Sequence, residues 1–266
     1  MKTHSREGKE LGNLELPEQF KEPYHPNLIR RAVLSEQLSS RQPYGAFPEA
    51  GKRASVRISK RRRDYRTSYG HGIARTPRKV VWHRGRQFGW VGAFSPNTRK
   101  GRRSHPPKAE KVLEVKLNKK ERNKAIRSAL SAAINKEIVK LRNHVIPSNY
   151  PFFLESSIES ISKTKDAEKL LLSLGLEKEL ARASVKKVRA GKGKNRGRKY
   201  RKKTGPLIVV SQKCSLLQAG KNIPGVDTAI VDKLKAEQLA PGTHAGRLTI
   251  FTESAIEKLR KERLFT

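Results

Sequence analysis

The chain has 266 residues, with 60 Lys/Arg against 24 Asp/Glu, a net charge of +36 and only 35% hydrophobic content; it has room for one large or two small domains and calls for a polyanionic partner. Its one cysteine, Cys214, excludes an internal disulfide and a cysteine-rich zinc site and points to a cytosolic address. No window approaches the roughly 18 apolar residues of a membrane span, and the polar start MKTHSREGKELGN is no signal peptide.

Residues 1–26 contain LELPEQF and PYHP and read as an irregular arm. Residues 27–40 bring Leu28, Ile29, Ala32, Val33, Leu34 and Leu38 near one face, which predicts a helix with Asn27 as N-cap. Residues 41–108 differ in kind. They hold eight Gly, six Pro and eight of the sixteen aromatics, and 19 Lys/Arg against two acids, Glu49 and Asp64. No helical or strand period persists there. A structureless stretch of that length does not belong inside a compact domain, so it reads as an extension ordered by something outside it. Charge this dense, with little apolar surface to bury, leaves an isolated chain disordered.

Residues 112–117 (VLEVKL) alternate enough for a short strand. Asn118 and Glu121 have capping-box spacing and open a helix that runs to Arg142, with Ile126, Ala129, Leu130, Ala133, Ile134, Ile138 and Leu141 on one stripe. PFFLES reads as an apolar strand. Residues 165–173 and 177–184 read as helices, the first ended by Gly175. Residues 186–203 hold 11 Lys/Arg and no acid. PLIVVSQ reads as a fully buried strand. A helical turn at 216–220, a helix over 228–238, the strand LTIFT and a helix from Glu253 to Arg263 follow. Strands alternating with helices predict an α/β fold, a three-layer domain with a largely parallel sheet flanked by helices and interrupted by a long extended basic loop. The domain would take residues 1–40 and 109–266, and the loop 41–108.

Fourteen of the 19 cations in 41–108 are Arg, which forks onto phosphate and stacks on bases where Lys is a point charge. Tyr65, Tyr69, Trp82, Phe88, Trp90 and Phe94 are interleaved with them, a mixture suited to the unstacked bases and tight turns of folded RNA. The candidate contacts in this loop are Arg61, Arg62, Arg63, Arg66, Gly70, His71, Gly72, Arg75, Arg78, Lys79, Trp82, Arg84, Arg86, Trp90, Arg99, Lys100, Arg102 and Arg103. The second candidate set is Lys192, Lys194, Arg196, Arg198, Lys199, Tyr200, Arg201, Lys202 and Lys203. An inert solvated tail is the bland alternative; two Trp residues and spaced prolines argue against it. An anionic membrane would want an amphipathic helix, and Gly and Pro cut these stretches.

AGKGKNRGRKYRKK invites a phosphate-loop reading and fails it. Gly191, Gly193 and Gly197 are not spaced G-x-G-x-x-G, no G-K-[ST] follows, and the apolar strand comes after the run. The seven His residues form no H-E-x-x-H and have no Cys at metal spacing. His71, His83 and His105 read as RNA contacts, Cys214 as a small buried residue, and Asp227, Asp232 and Glu237 as solvated. The sequence therefore predicts no enzyme, no metal, no cofactor and no small-molecule substrate.

Several long motifs occur in a fixed order: GHGIARTPR (70–78), RSHPPKAEK (103–111), LNKKERNKAIRSALSAA (117–133), RAGKGKNRGRKYRKKTGPLIVV (189–210), NIPGVD (222–227) and LAPGTHAGRLTIFTESAI (239–256). They resemble the family of large-subunit ribosomal protein four, in its archaeal and eukaryotic branch, over nearly the whole chain. The resemblance implies a globular α/β domain and a long loop threaded through rRNA to the polypeptide exit tunnel, where it helps form the constriction beside a second ribosomal protein. Gly70, His71, Gly72, Arg75, Pro77 and Arg78 match the loop motif, which places the tip around Trp82 to Phe94. Gly191, Gly193, Arg196, Gly197, Arg198 and Tyr200 match the second rRNA-binding motif. The short polar N-terminus departs from the family's apolar first strand, which implies a weak or absent strand there. The functional expectation is a structural rRNA-binding protein of the large subunit. A DNA-compacting chromatin protein and an RNA-modifying enzyme with a Rossmann-like core are the rivals.

Overall fold

The computed structural model describes every residue except Tyr65, Arg66 and Arg86. The chain divides into two compact units, Met1–Ser40 with Glu114–Thr266, and Arg41–Leu113. In chain order the strands are β1 (Lys2–His4), β2 (Glu10–Asn13), β3 (Arg78–Arg84), β4 (Gln87–Gly92), β5 (Phe153–Leu154), β6 (Lys186–Val188), β7 (Tyr200–Lys202), β8 (Leu207–Val210), β9 (Asp227–Ile230) and β10 (Thr249–Thr252). The helices are α1 (Pro26–Ser39), α2 (Lys119–Ile134), α3 (Lys136–Leu141), α4 (Thr164–Ser173), α5 (Glu177–Ser184), α6 (Ser215–Lys221), α7 (Ala236–Leu239) and α8 (Glu253–Lys261).

The first unit is built on a six-stranded sheet in the order β2-β1-β5-β10-β8-β9. β2 runs antiparallel to β1, and every other neighbouring pair is parallel. Successive side chains of a strand point to opposite faces, and here both faces are covered. Phe153, Leu207, Val209 and Phe251 pack with residues of α1, α2, α7 and α8. Leu154, Ile208, Val210 and Ile250 pack with residues of α3, α4 and α6. That two-sided burial explains the unbroken apolar run LIVV. It also confirms the α/β three-layer class with a largely parallel sheet.

Several elements differ from the sequence reading. Lys2–His4 is a sheet strand despite its polarity. Backbone pairing to Phe153–Leu154 and to Glu10–Asn13 holds it, and the buried His4 ring packs edge-on to Phe152 at 5.1 Å. Helix α1 begins one residue early, with Pro26 at N1, where its missing N–H costs nothing. Residues 112–117 form no strand; Val112 and Val115 are exposed. The helix expected to reach Arg142 breaks at Asn135 (φ −73°, ψ 112°), whose side chain accepts from Glu137 N at 3.0 Å and caps α3. The break leaves Leu141 82% exposed, off the expected stripe. Asn118 is the N-cap of α2 without a side-chain cap bond, so the capping box does not form. The helix read over 228–238 is instead β9, a 3-10 turn and α7. Pairing with β8 at the sheet edge outweighs local helical pattern there.

The second unit contains an antiparallel hairpin. β3 pairs with β4 from Arg78↔Gly92 to Arg84↔Gln87, with an irregularity between Val80 and Trp82. Valines, aromatics and a positive-φ Gly85 (φ 55°) suit such a hairpin. Among the described residues, Ala93 is the one buried apolar side chain of this unit. Among the described residues, the two apolar clusters of the first unit are made of that unit's own side chains.

Candidate nucleic-acid interface

Two cation-rich segments carry the candidate site. In 186–203, β6 and β7 form a two-stranded ribbon in which Lys186 lies opposite Lys202, Lys187 opposite Arg201 and Val188 opposite Tyr200. Like charges directly across a ladder destabilise it. Arg189 holds the ribbon together: its backbone N–H donates to Lys199 O at 2.8 Å and its Nε to Arg198 O at 3.1 Å. Gly191 and Gly197 take φ of 78° and 79°, and a 3-10 turn at Lys194–Arg196 links the strands. Of the second candidate set, Lys192, Lys194, Arg196, Arg198, Lys199, Tyr200, Arg201, Lys202 and Lys203 are all exposed. The fold thus brings the whole second set onto one ribbon. Its strands are too short for a period to show in sequence, and Lys186, Lys187 and Arg189 of the same ribbon lie outside the set that sequence reasoning selects.

A buried charge cluster anchors that ribbon. The Glu179 carboxylate on α5 is fully buried. It accepts from His144 Nδ1 at 2.6 Å, Val145 N at 2.9 Å, and Arg182 Nε and Nη2 at 2.8 and 2.6 Å. Arg182 Nη2 also donates to Thr204 O at 2.7 Å, just past β7. Burial raises the Glu179 pKa, but the hydrogen bonds from Arg182, His144 and Val145 outweigh it and hold the group at about 2. Burial pushes His144 below the usual imidazole range even though Glu179 opposes it. One step further, the buried Arg247 donates from Nε to Gly205 O at 2.9 Å and pairs through Nη2 with Asp227 Oδ2 at 2.5 Å. Asp227 is therefore ion-paired, as is Asp232 with Lys258 at 2.5 Å, and Glu237 accepts from Gln37 at 3.0 Å. Asp227 and Asp232 stay exposed to solvent as expected, each beside a cation, while Glu237 is half-buried. The i,i+3 spacing of Glu179 and Arg182 is a legible sequence signal; the approach of His144, 35 residues earlier, is not.

In the second unit the candidates fall into three groups. Arg61, Arg62 and Arg63 are exposed, and the Tyr69 ring has the Arg62 and Arg75 guanidiniums 5.4 and 4.5 Å from its centroid. Gly70 and Gly72, flanking the exposed His71, take φ of 84° and 66°. The hairpin carries Arg78, Lys79, Trp82, Arg84 and Trp90. Trp82 is 56% exposed and lies over Gly89, where an added Cβ would come 2.1 Å from the indole nitrogen. Arg78 Nε is buried without a hydrogen-bond partner among the described residues. Arg99, Lys100, Arg102 and Arg103 sit on the loop after β4, closed by Arg102 N donating to Phe94 O at 3.1 Å. Arg66, Arg86 and Tyr65 lie outside the described residues. Arg57, paired with Asp64 at 3.0 Å and bridged through its backbone to Arg78, lies outside the set that sequence reasoning selects.

Among the described residues no group of three or more His, Cys, Asp or Glu is placed to hold a metal ion, and no helix is long and apolar enough to cross a membrane. Cys214 is half-buried, and burial raises its thiol pKa. Comparison with known proteins gives the class, a structural ribosomal protein rather than an enzyme. The model of the Ribosomal protein L4/L1 family matches residues 14–262, and the chain belongs to that family. Three relatives are each named large ribosomal subunit protein uL4. That of Nanoarchaeum equitans is 48% identical, over 98% of this chain and 98% of its own length. That of Methanothrix thermoacetophila is 44% identical, over 97% and 96%. That of Methanocaldococcus jannaschii is 45% identical, over 96% and 95%.

Proposed function

We propose that this protein, a structural constituent of the large ribosomal subunit in the cytoplasm, binds large-subunit rRNA through both cationic segments. Residues 1–40 and 109–266 act as the folded anchor. Residues 41–108 act as a loop that penetrates rRNA, reaches the wall of the polypeptide exit tunnel and contributes to its constriction beside other large-subunit proteins. The reading is carried by the ribbon register, which sets Lys186 against Lys202 and Lys187 against Arg201. Such a ribbon gains stability when phosphates neutralise it, and counterion release then drives binding. Among the described residues of 41–113, Ala93 is the one buried apolar side chain, which supports the same logic for the loop.

The test is a salt titration of the full chain on a large-subunit rRNA fragment, with the triple variant Lys192→Gln, Lys194→Gln, Arg196→Gln beside it. The slope of log K against log salt should fall in magnitude by roughly 0.7–0.9 for each phosphate left without its cation. An unchanged slope and affinity would remove the ribbon from the interface. Equal affinity for duplex DNA and rRNA at moderate salt would favour a DNA-compacting role instead.

A further inference from the structure

Within the second unit, residues 44–46 run against residues 106–109. Ala46 N donates to Pro107 O at 2.9 Å. A Cβ on Gly45 would lie 2.7 Å from Ala109 N, so the chain passes here only because that position lacks a side chain. The two segments wall an open cleft of about 630 Å³, within the roughly 300–1,000 Å³ range of small-molecule pockets. Tyr44, 59% exposed, forms one wall and His105, Pro106 and Pro107 another. Arg103, Lys108 and Lys111 supply cations at the rim, and Glu110 supplies the one carboxylate of the lining. A turn closed by Lys111 N donating to Lys108 O at 3.2 Å presents the last three.

We propose that this cleft receives one unstacked nucleotide of the bound RNA, an inference that rests on the RNA-binding reading above. The base stacks on Tyr44 against the proline wall, since an exposed aromatic ring and rigid apolar residues accept any base face. The flanking phosphates lie on Arg103, Lys108 and Lys111. A carboxylate only accepts hydrogen bonds, so Glu110 favours a base edge rich in N–H donors, as guanine offers and uracil does not. A mere cation cluster would need neither the aromatic wall nor the glycine that lets the two segments close. Most of the lining lies in the motif 103–111, whereas Tyr44, which supplies the stacking ring, stands outside every sequence motif.

The experiment uses the full chain and two readouts. Saturation-transfer NMR follows GMP and UMP in excess ribose 5-phosphate, which suppresses binding through phosphate alone. Chemical probing follows the large-subunit rRNA in complex with each variant. Tyr44→Ala should weaken GMP binding roughly tenfold or more and expose one rRNA nucleotide, Tyr44→Phe should leave both near wild type, and GMP should bind better than UMP. If rRNA binds but neither readout responds to Tyr44→Ala, the cleft assignment falls and the broader reading survives. If GMP binding is lost with an unchanged rRNA pattern, the cleft belongs to a free nucleotide and the proposal is overturned. If the wild-type chain binds no rRNA, both fall together.

Discussion

Glu179→Gln probes how the second cationic ribbon is fixed to the folded core. The Glu179 side chain is fully buried and accepts four hydrogen bonds, from His144, Val145 and twice from Arg182. Its pKa stands at about 2 against an ordinary value of 4.5. At 1.36 kcal/mol per unit that is about 3 kcal/mol of stability, in line with the ~3–5 kcal/mol cost of breaking buried pairs. The folded pKa is depressed, so this contribution is fully present above pH 4.5 and is lost as pH falls toward about 2. His144, whose pKa is also lowered, adds a separate loss starting below its ordinary 6.5. The amide keeps the shape and removes the charge. Urea unfolding followed by helical circular dichroism should show a loss of about 3 kcal/mol at pH 7, and the variant should lack the wild type's further decline between pH 4.5 and 2. Releasing Arg182 should also loosen its hold on Thr204 and speed proteolysis within 186–203. Similar stabilities at pH 7 with parallel acid limbs would refute the reasoning.

Asn135→Ala removes the cap at the α2–α3 break and should cost about 1 kcal/mol, read as a lowered urea midpoint. Arg247→Ala should cost about 3 kcal/mol in the same assay, because Gly205 O and Gln238 O are deprived of a charged donor inside the fold; Asp227, 61% exposed, remains hydrated and adds little. Deleting residues 68–98 should leave the thermal melt of the remaining chain within a few degrees of wild type, since neither apolar cluster uses that segment. A deletion that unfolds the α/β unit in a circular dichroism melt would contradict this.

Elements with a local signal were legible from residues alone. LIVV announced a strand buried on both faces, Gly175 the end of α4, and the Leu28–Val33 stripe the first helix. Charge density in 41–108 and 186–203 singled out the cation-rich segments without any coordinates, because net charge is additive along a chain. Whatever depends on distant partners had to wait for the folded molecule. Polar Lys2–His4 is a strand because β5 and β2 lie beside it. Residues 227–230 leave the helical pattern because β8 offers a sheet edge. Leu141 is exposed because Asn135 breaks the helix before it. The pairing of Glu179 with His144, the seating of Arg247 on Gly205 and the cleft at Tyr44 all join residues far apart in sequence. Backbone pairing and buried charge take their energy from neighbours that only folding brings within reach.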